Sequence, residues 1–173
     1  MKAYKKILPY FDKISEIYPI HSYVRLRLLR LTFTILISIA SMDNAPSYTP
    51  SLAIEIGYQV VKGLKVILPY GHPIRGCTLT ELSKQILAND NDEKEMSETQ
   101  VIEKLTKALN VMIEALNEVK IGLVYIFQNK KSKDFYDNSR FGREGSMLSR
   151  YLKEEISQIE QEIRFRRMAI KSI

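Results

Sequence analysis

The chain has 173 residues, 45% of them hydrophobic, and a formal net charge of +6. This length predicts a single helical domain, residues 1–173, able to bury a core without metal or disulfide, and the single cysteine, Cys77, excludes an internal disulfide. The longest uncharged apolar run, Leu31 to Met42, spans only about 18 Å as a helix against the ~30 Å of a bilayer core, and MKAYKKILPYFDK lacks the apolar stretch of a signal peptide, so a cytoplasmic protein without membrane contact is expected.

In chain order, Ile7, Phe11, Ile14 and Tyr18 have helical spacing. Pro9 starts or kinks that helix, and Pro19 ends it. Ser22 is placed to cap a second helix running to about Ser41. That helix is apolar nearly all round, except for a stripe at Arg27, Arg30, Thr34, Ser38 and Ser41. A helix with one narrow polar stripe is mostly buried. Residues 44–47 form a break. Thr49 before Pro50 reads as a cap and first turn, opening a third helix to about Leu68. Ile54, Ile56, Val60, Val61, Val66 and Ile67 keep a strand reading open there.

Pro69, Gly71 and Pro73 punctuate the next stretch, and Gly76 closes the loop. Thr78 and Glu81 match a capping box for a short helix ending near Ala88. An acidic polar linker, about 89–97, is expected to be mobile. Ser97 and Gln100 match a second capping box and open a long helix reaching about Gln128. Its apolar residues Ile102, Leu105, Leu109, Met112, Leu116, Val119, Leu123 and Ile126 alternate three and four apart. That is the period of a seam packed along its whole length against other helices. Ala108, Ala115 and Gly122 flank the seam and let a neighbouring backbone approach. Ile113 and Ile121 widen the stripe, which suits a bundle. A basic, turn-rich loop, about 129–145, precedes a last helix from near Ser146. Leu148, Leu152, Ile156, Ile159, Ile163 and Ile170 share one of its faces. The fold class expected is all-α: a four-helix up-and-down bundle with a short additional helix and a C-terminal helix.

His21, His72 and Cys77 are too few for a zinc site, and nothing marks Cys77 as an activated nucleophile. Gly57 and Gly63 lack the lysine context of a phosphate loop. No Glu-x-x-His pair is present for a di-iron centre. No arginine precedes either histidine at the spacing used by helical ribonucleases of the nucleotidyl-binding-associated type. The expectation is a protein that is not an enzyme and carries no metal or cofactor.

Charge is unevenly placed. Residues 1–40 carry seven basic and two acidic side chains, residues 91–120 four and seven, and residues 121–173 eleven and seven. Basic chain ends point to a polyanionic partner. Three groupings are candidates. Arg25, Arg27 and Arg30 suit phosphate, or simply a salt-bridged helix end. Lys130, Lys131, Lys133, Arg140 and Arg143 are interleaved with Phe135, Tyr136 and Phe141. Cations of that kind hold a backbone while rings stack on unpaired bases, unless the rings fold back onto the bundle. Arg164, Arg166, Arg167 and Lys171 suit a polyanion, or the negative end of a helix dipole.

Tyr18, Pro19, His21, Tyr23, Arg25, Arg27 and Arg30 form an aromatic–Pro turn leading into an Arg-rich aliphatic helix. In this, residues 4–45 resemble the opening of a family of small four-helix-bundle proteins. The family includes proteins encoded by intervening sequences in bacterial ribosomal RNA genes and the accessory variability determinant of diversity-generating retroelements. The resemblance implies a basic, oligomer-forming bundle that binds RNA or assists an enzyme that does. The leading reading is a non-enzymatic nucleic-acid-binding accessory or scaffold subunit of a ribonucleoprotein. RNA is favoured over DNA as partner, with a protein partner or self-association through helical faces. The alternative is a protein–protein assembly module, such as a subunit of a defence or viral complex, without nucleic-acid contact.

Overall fold

The structure, a computed structural model, describes residues 13–14, 16–42, 45–89, 96–127 and 140–171, with side chains left aside at 123–127 and 140–144. These residues are helical or lie in turns, with no strand among them. The all-α expectation holds. The chain divides into two compact units, 1–69 and 70–173.

In the first unit, a helical segment closes where the Tyr18 N–H donates to the Ile14 carbonyl at 2.9 Å, and Pro19 ends it. The expected contributions of Ile7, Pro9 and Phe11 lie outside the described residues. Helix α1, Tyr23–Ala40, begins as its sequence dictates: the Ser22 hydroxyl accepts the Arg25 N–H at 3.3 Å. Leu26, Leu29, Phe33 and Leu36 are buried at helical spacing. Helix α2, Thr49–Ile67, packs on α1 and buries Ala53, Ile56, Val60, Val61 and Leu64. The open strand reading therefore resolves to helix; apolar spacing overrides β-branched propensity. Thr49 is not the cap. Tyr48 holds that position without a side-chain bond, Pro50 sits in the first turn, and Thr49 is buried. Gly63 sits mid-helix because a Cβ there would lie 2.9 Å from the Ile20 carbonyl oxygen and 2.8 Å from Leu26 Cδ1.

The outer side of α1 is wider than one polar stripe. Tyr23, Val24 and Leu31 are exposed along with Arg27, Arg30, Thr34, Ser38 and Ser41. A two-helix contact covers only part of a helix, so apolar residues on the far side stay in solvent.

The second unit contains α3, Pro73–Leu87, α4, Glu98–Phe127, and α5, Arg140–Lys171. Helix α4 packs against α3 and against α5. Its capping box forms as expected: the Ser97 N–H donates to Gln100 Oε1 at 2.8 Å, and the Gln100 N–H to Ser97 Oγ at 3.3 Å. The other expected box does not form. Helix α3 starts at Pro73, capped by His72, whose Nδ1 accepts the Ile74 N–H at 3.2 Å. Proline is favoured at a first helical position, where its missing N–H costs nothing. Thr78 is then interior, its hydroxyl donating to the Ile74 carbonyl at 2.7 Å. Helix α5 likewise starts earlier than Ser146, so residues 140–145, expected as loop, are helical.

The buried face of helix α4 takes in its small residues together with part of the apolar seam. Ala108, Met112 and Ala115 are fully buried, and Val101, Ile102, Val111, Leu116 and Val119 nearly so. Of the two leucines expected at the centre of the seam, Leu116 is buried and Leu109 only half-buried; Leu105 is half-buried too, and Ile113 is exposed. A helix gripped on two sides buries a wide arc, and its closest neighbours settle over alanine and glycine. Leu123 and Ile126 have side chains outside the described residues. On α5, Leu152, Ile159 and Ile163 are buried, whereas Ile170, expected on that face, is exposed.

Candidate nucleic-acid interface

Tyr23, Arg27, Arg30, Thr34, Ser38 and Ser41 follow one another at three- and four-residue steps, so they share one face of α1. All six are exposed. Thr34, Ser38 and Ser41 donate their hydroxyls to their own helix, at 3.1 Å to the Arg30 carbonyl, 3.0 Å to Thr34 and 2.9 Å to Ser38. Their oxygens still present lone pairs to solvent. Helix α1 contains three arginines and no carboxylate. Arg25 differs from its two neighbours. It is half-buried, and its Nη1 donates to the Tyr18 carbonyl at 3.0 Å, fastening the turn at Pro19.

Of the second grouping, Lys130, Lys131 and Lys133, and the side chains of Arg140 and Arg143, lie outside the described residues. The third grouping is split. Arg166 donates Nη1 to Glu98 at 2.9 Å and Nε to Glu162 at 2.7 Å. The Glu98 bond leads in holding its guanidinium above the ordinary arginine pKa. Arg164, Arg167 and Lys171 are exposed on the same helix.

Charge also enters the core of the second unit, where no sequence signal marked it. Glu118 on α4 is fully buried and Arg75 on α3 nearly so. Arg75 Nη2 lies 2.5 Å from Glu118 Oε1, and the Gly71 N–H donates to Oε2 at 2.5 Å. The Arg75 guanidinium also lies over the Tyr70 ring, 5.3 Å from its centroid. Gly71 has φ of +84°, which glycine alone adopts freely, and this bends the chain so that its N–H meets the carboxylate. Fourteen residues earlier on α4, Lys104 is also buried, and its Nζ donates to the Asn89 carbonyl at 2.9 Å. A carboxylate thus meets the N-terminal end of α3 and an ammonium its C-terminal end, the signs that complement a helix dipole. The trace in the sequence is that Lys104 and Glu118 fall on the stripe of Ala108, Ala115 and Gly122, which faces the nearest backbone.

This ion pair is sealed from solvent. His72 is engaged in capping, and Cys77 is exposed. Among the described residues no three His, Cys, Asp or Glu side chains gather to hold a metal ion, and no helix is long and apolar enough to cross a membrane.

No family model matches this chain, and neither a curated protein nor a solved structure does so significantly.

Proposed function

We propose that the protein is a non-enzymatic nucleic-acid-binding subunit, with RNA favoured, serving as a helical accessory or scaffold in a cytoplasmic ribonucleoprotein. The observation that carries this is the outer face of α1, where Arg27 and Arg30 lie beside a ring, Tyr23, that is 71% exposed, on a helix without a carboxylate. Two arginines about one turn apart suit successive phosphates, and the ring offers a stacking surface. The resemblance of residues 4–45 to the intervening-sequence and retroelement-accessory bundles supports RNA over DNA. The test is affinity for single-stranded RNA as a function of salt. Each phosphate neutralised contributes about −0.7 to the slope of log affinity on log salt, so Arg27→Gln with Arg30→Gln should flatten that slope by about 1.4. An unchanged slope removes this face from the interface.

A second reading, a protein–protein assembly module, is favoured by Leu31 at 53% and Val66 at 63% exposure. It takes over if the wild-type protein binds no nucleic acid at low salt.

A further inference from the structure

Helix α5 carries a second outward face, away from Leu152, Ile159 and Ile163. Phe165 on it is 68% exposed and Met168 63%. Together with Gln158, Gln161, Glu162 and Arg164 they line a shallow open groove. The carboxylate of this groove, Glu162, is already joined to Arg166 at 2.7 Å. What the groove offers a ligand is therefore an exposed ring, a thioether, two neutral amides and a cation. Arg164, Arg167 and Lys171, at steps of three and four, carry positive charge along its flank. Residues 164–171 contain four cations and no acid.

We propose that this groove docks a single-stranded segment of nucleic acid. One unpaired base stacks on Phe165, the amides of Gln158 and Gln161 meet its polar edge, and Arg164, Arg167 and Lys171 take the neighbouring phosphates. The inference rests on the nucleic-acid reading above but assigns a separate surface and a strandedness. Every base has a face for the ring, and amides both donate and accept, so sequence preference is weak. A duplex keeps its bases stacked inside and leaves Phe165 nothing to stack on. Its phosphates alone would engage the cations.

The chain contains no tryptophan, so Phe165→Trp installs a single fluorescent reporter in the groove. Oligouridylate is the probe, since its bases stack poorly on one another and are free to meet a ring. A blunt RNA duplex is the control. Oligouridylate should quench the tryptophan and the duplex should not. Phe165→Ala should lower affinity for oligouridylate by roughly 5- to 150-fold, the worth of one base–aromatic stack, with duplex affinity and the circular dichroism spectrum unchanged. An unquenched tryptophan in a variant that still binds oligouridylate overturns the proposal, as does full affinity in Phe165→Ala. In either case the α1 reading survives and is judged by its own arginine variant. If wild type binds neither oligonucleotide at low salt, both readings fall. If the tryptophan responds instead to vesicles of phosphatidylcholine and phosphatidylglycerol, the face meets a membrane surface and the proposal is refuted.

Discussion

Glu118 is the residue whose loss the second unit should feel most. Its carboxylate and the Arg75 guanidinium are both withdrawn from water, 2.5 Å apart at their nearest atoms. Two unit charges about 4 Å apart attract by roughly 4 kcal/mol at an effective dielectric of 20. Withdrawing each ion from water costs several kcal/mol, so the intact pair contributes little net stability. Breaking it is another matter. Glu118→Ala leaves Arg75 buried without its carboxylate, and it also removes the acceptor of the Gly71 N–H. We expect a loss of about 3–5 kcal/mol, the range for removing one member of a buried pair. Tyr70, over which the guanidinium lies, recovers only a part, since a cation–π contact is worth roughly 0.5–2 kcal/mol. Glu118→Gln should cost less than Glu118→Ala, because its amide oxygen still accepts from Gly71. The double variant Arg75→Met, Glu118→Leu should be more stable than either Arg75→Met or Glu118→Ala. Urea denaturation followed by circular dichroism measures these together with Glu118→Leu alone, and the coupling energy follows from the cycle of Arg75→Met, Glu118→Leu and their double variant. A loss below about 1 kcal/mol for Glu118→Ala, or a coupling near zero, would refute the reasoning.

Two further outcomes follow from packing on α4. Leu116→Ala should cost about 2–5 kcal/mol in the same assay, because the leucine is 92% buried against its neighbours, at 8% exposure; an unchanged midpoint would mean that its cavity refills at no cost. Gly122→Ala should destabilise by about 1–2 kcal/mol despite the better helix propensity of alanine, since the new methyl would collide with the carbonyl oxygen of Gly71, a residue whose N–H is bonded to Glu118; a stabilised variant would show that this turn shifts freely.

The sequence was most legible where local chemistry decides structure. Ser22 and the Ser97–Gln100 pair cap the helices they were expected to cap, since a short polar side chain before an apolar repeat has few other uses. The Thr78–Glu81 pair has the same spelling and fails, because Pro73 and His72 open the helix first. The apolar repeat of α4 marked a packed helix, yet it misplaced the centre of the buried face. Spacing reports which residues are apolar, whereas the depth of each depends on how closely two partner helices approach, and that is set by Ala108 and Ala115. The largest omission was the buried trio of Arg75, Lys104 and Glu118. Charged residues read as surface until a partner far along the chain is known, and Glu118 reaches its partners 43 and 47 residues away, at Arg75 and Gly71. On the candidate interface, Arg27 and Arg30 are exposed, while the role of Arg25 in closing a turn depends on a carbonyl that no spacing rule points to.

The two charges that hold the ends of α3 also set a rule for lengths. Lys104 and Glu118 are separated by about 21 Å of helix, and the fifteen residues of α3 span about 22 Å. The agreement makes α4 a gauge for α3. Deleting one residue between Lys104 and Glu118 shortens that interval by only about 1.5 Å, but it turns one charge about 100° around the helix and out of the contact. Removing a turn from α3 alone leaves one of the two charges without its helix end. Length changes are therefore tolerated only as matched pairs in both helices, by whole turns, and a sequence that alters one helix without the other has lost the latch at one end.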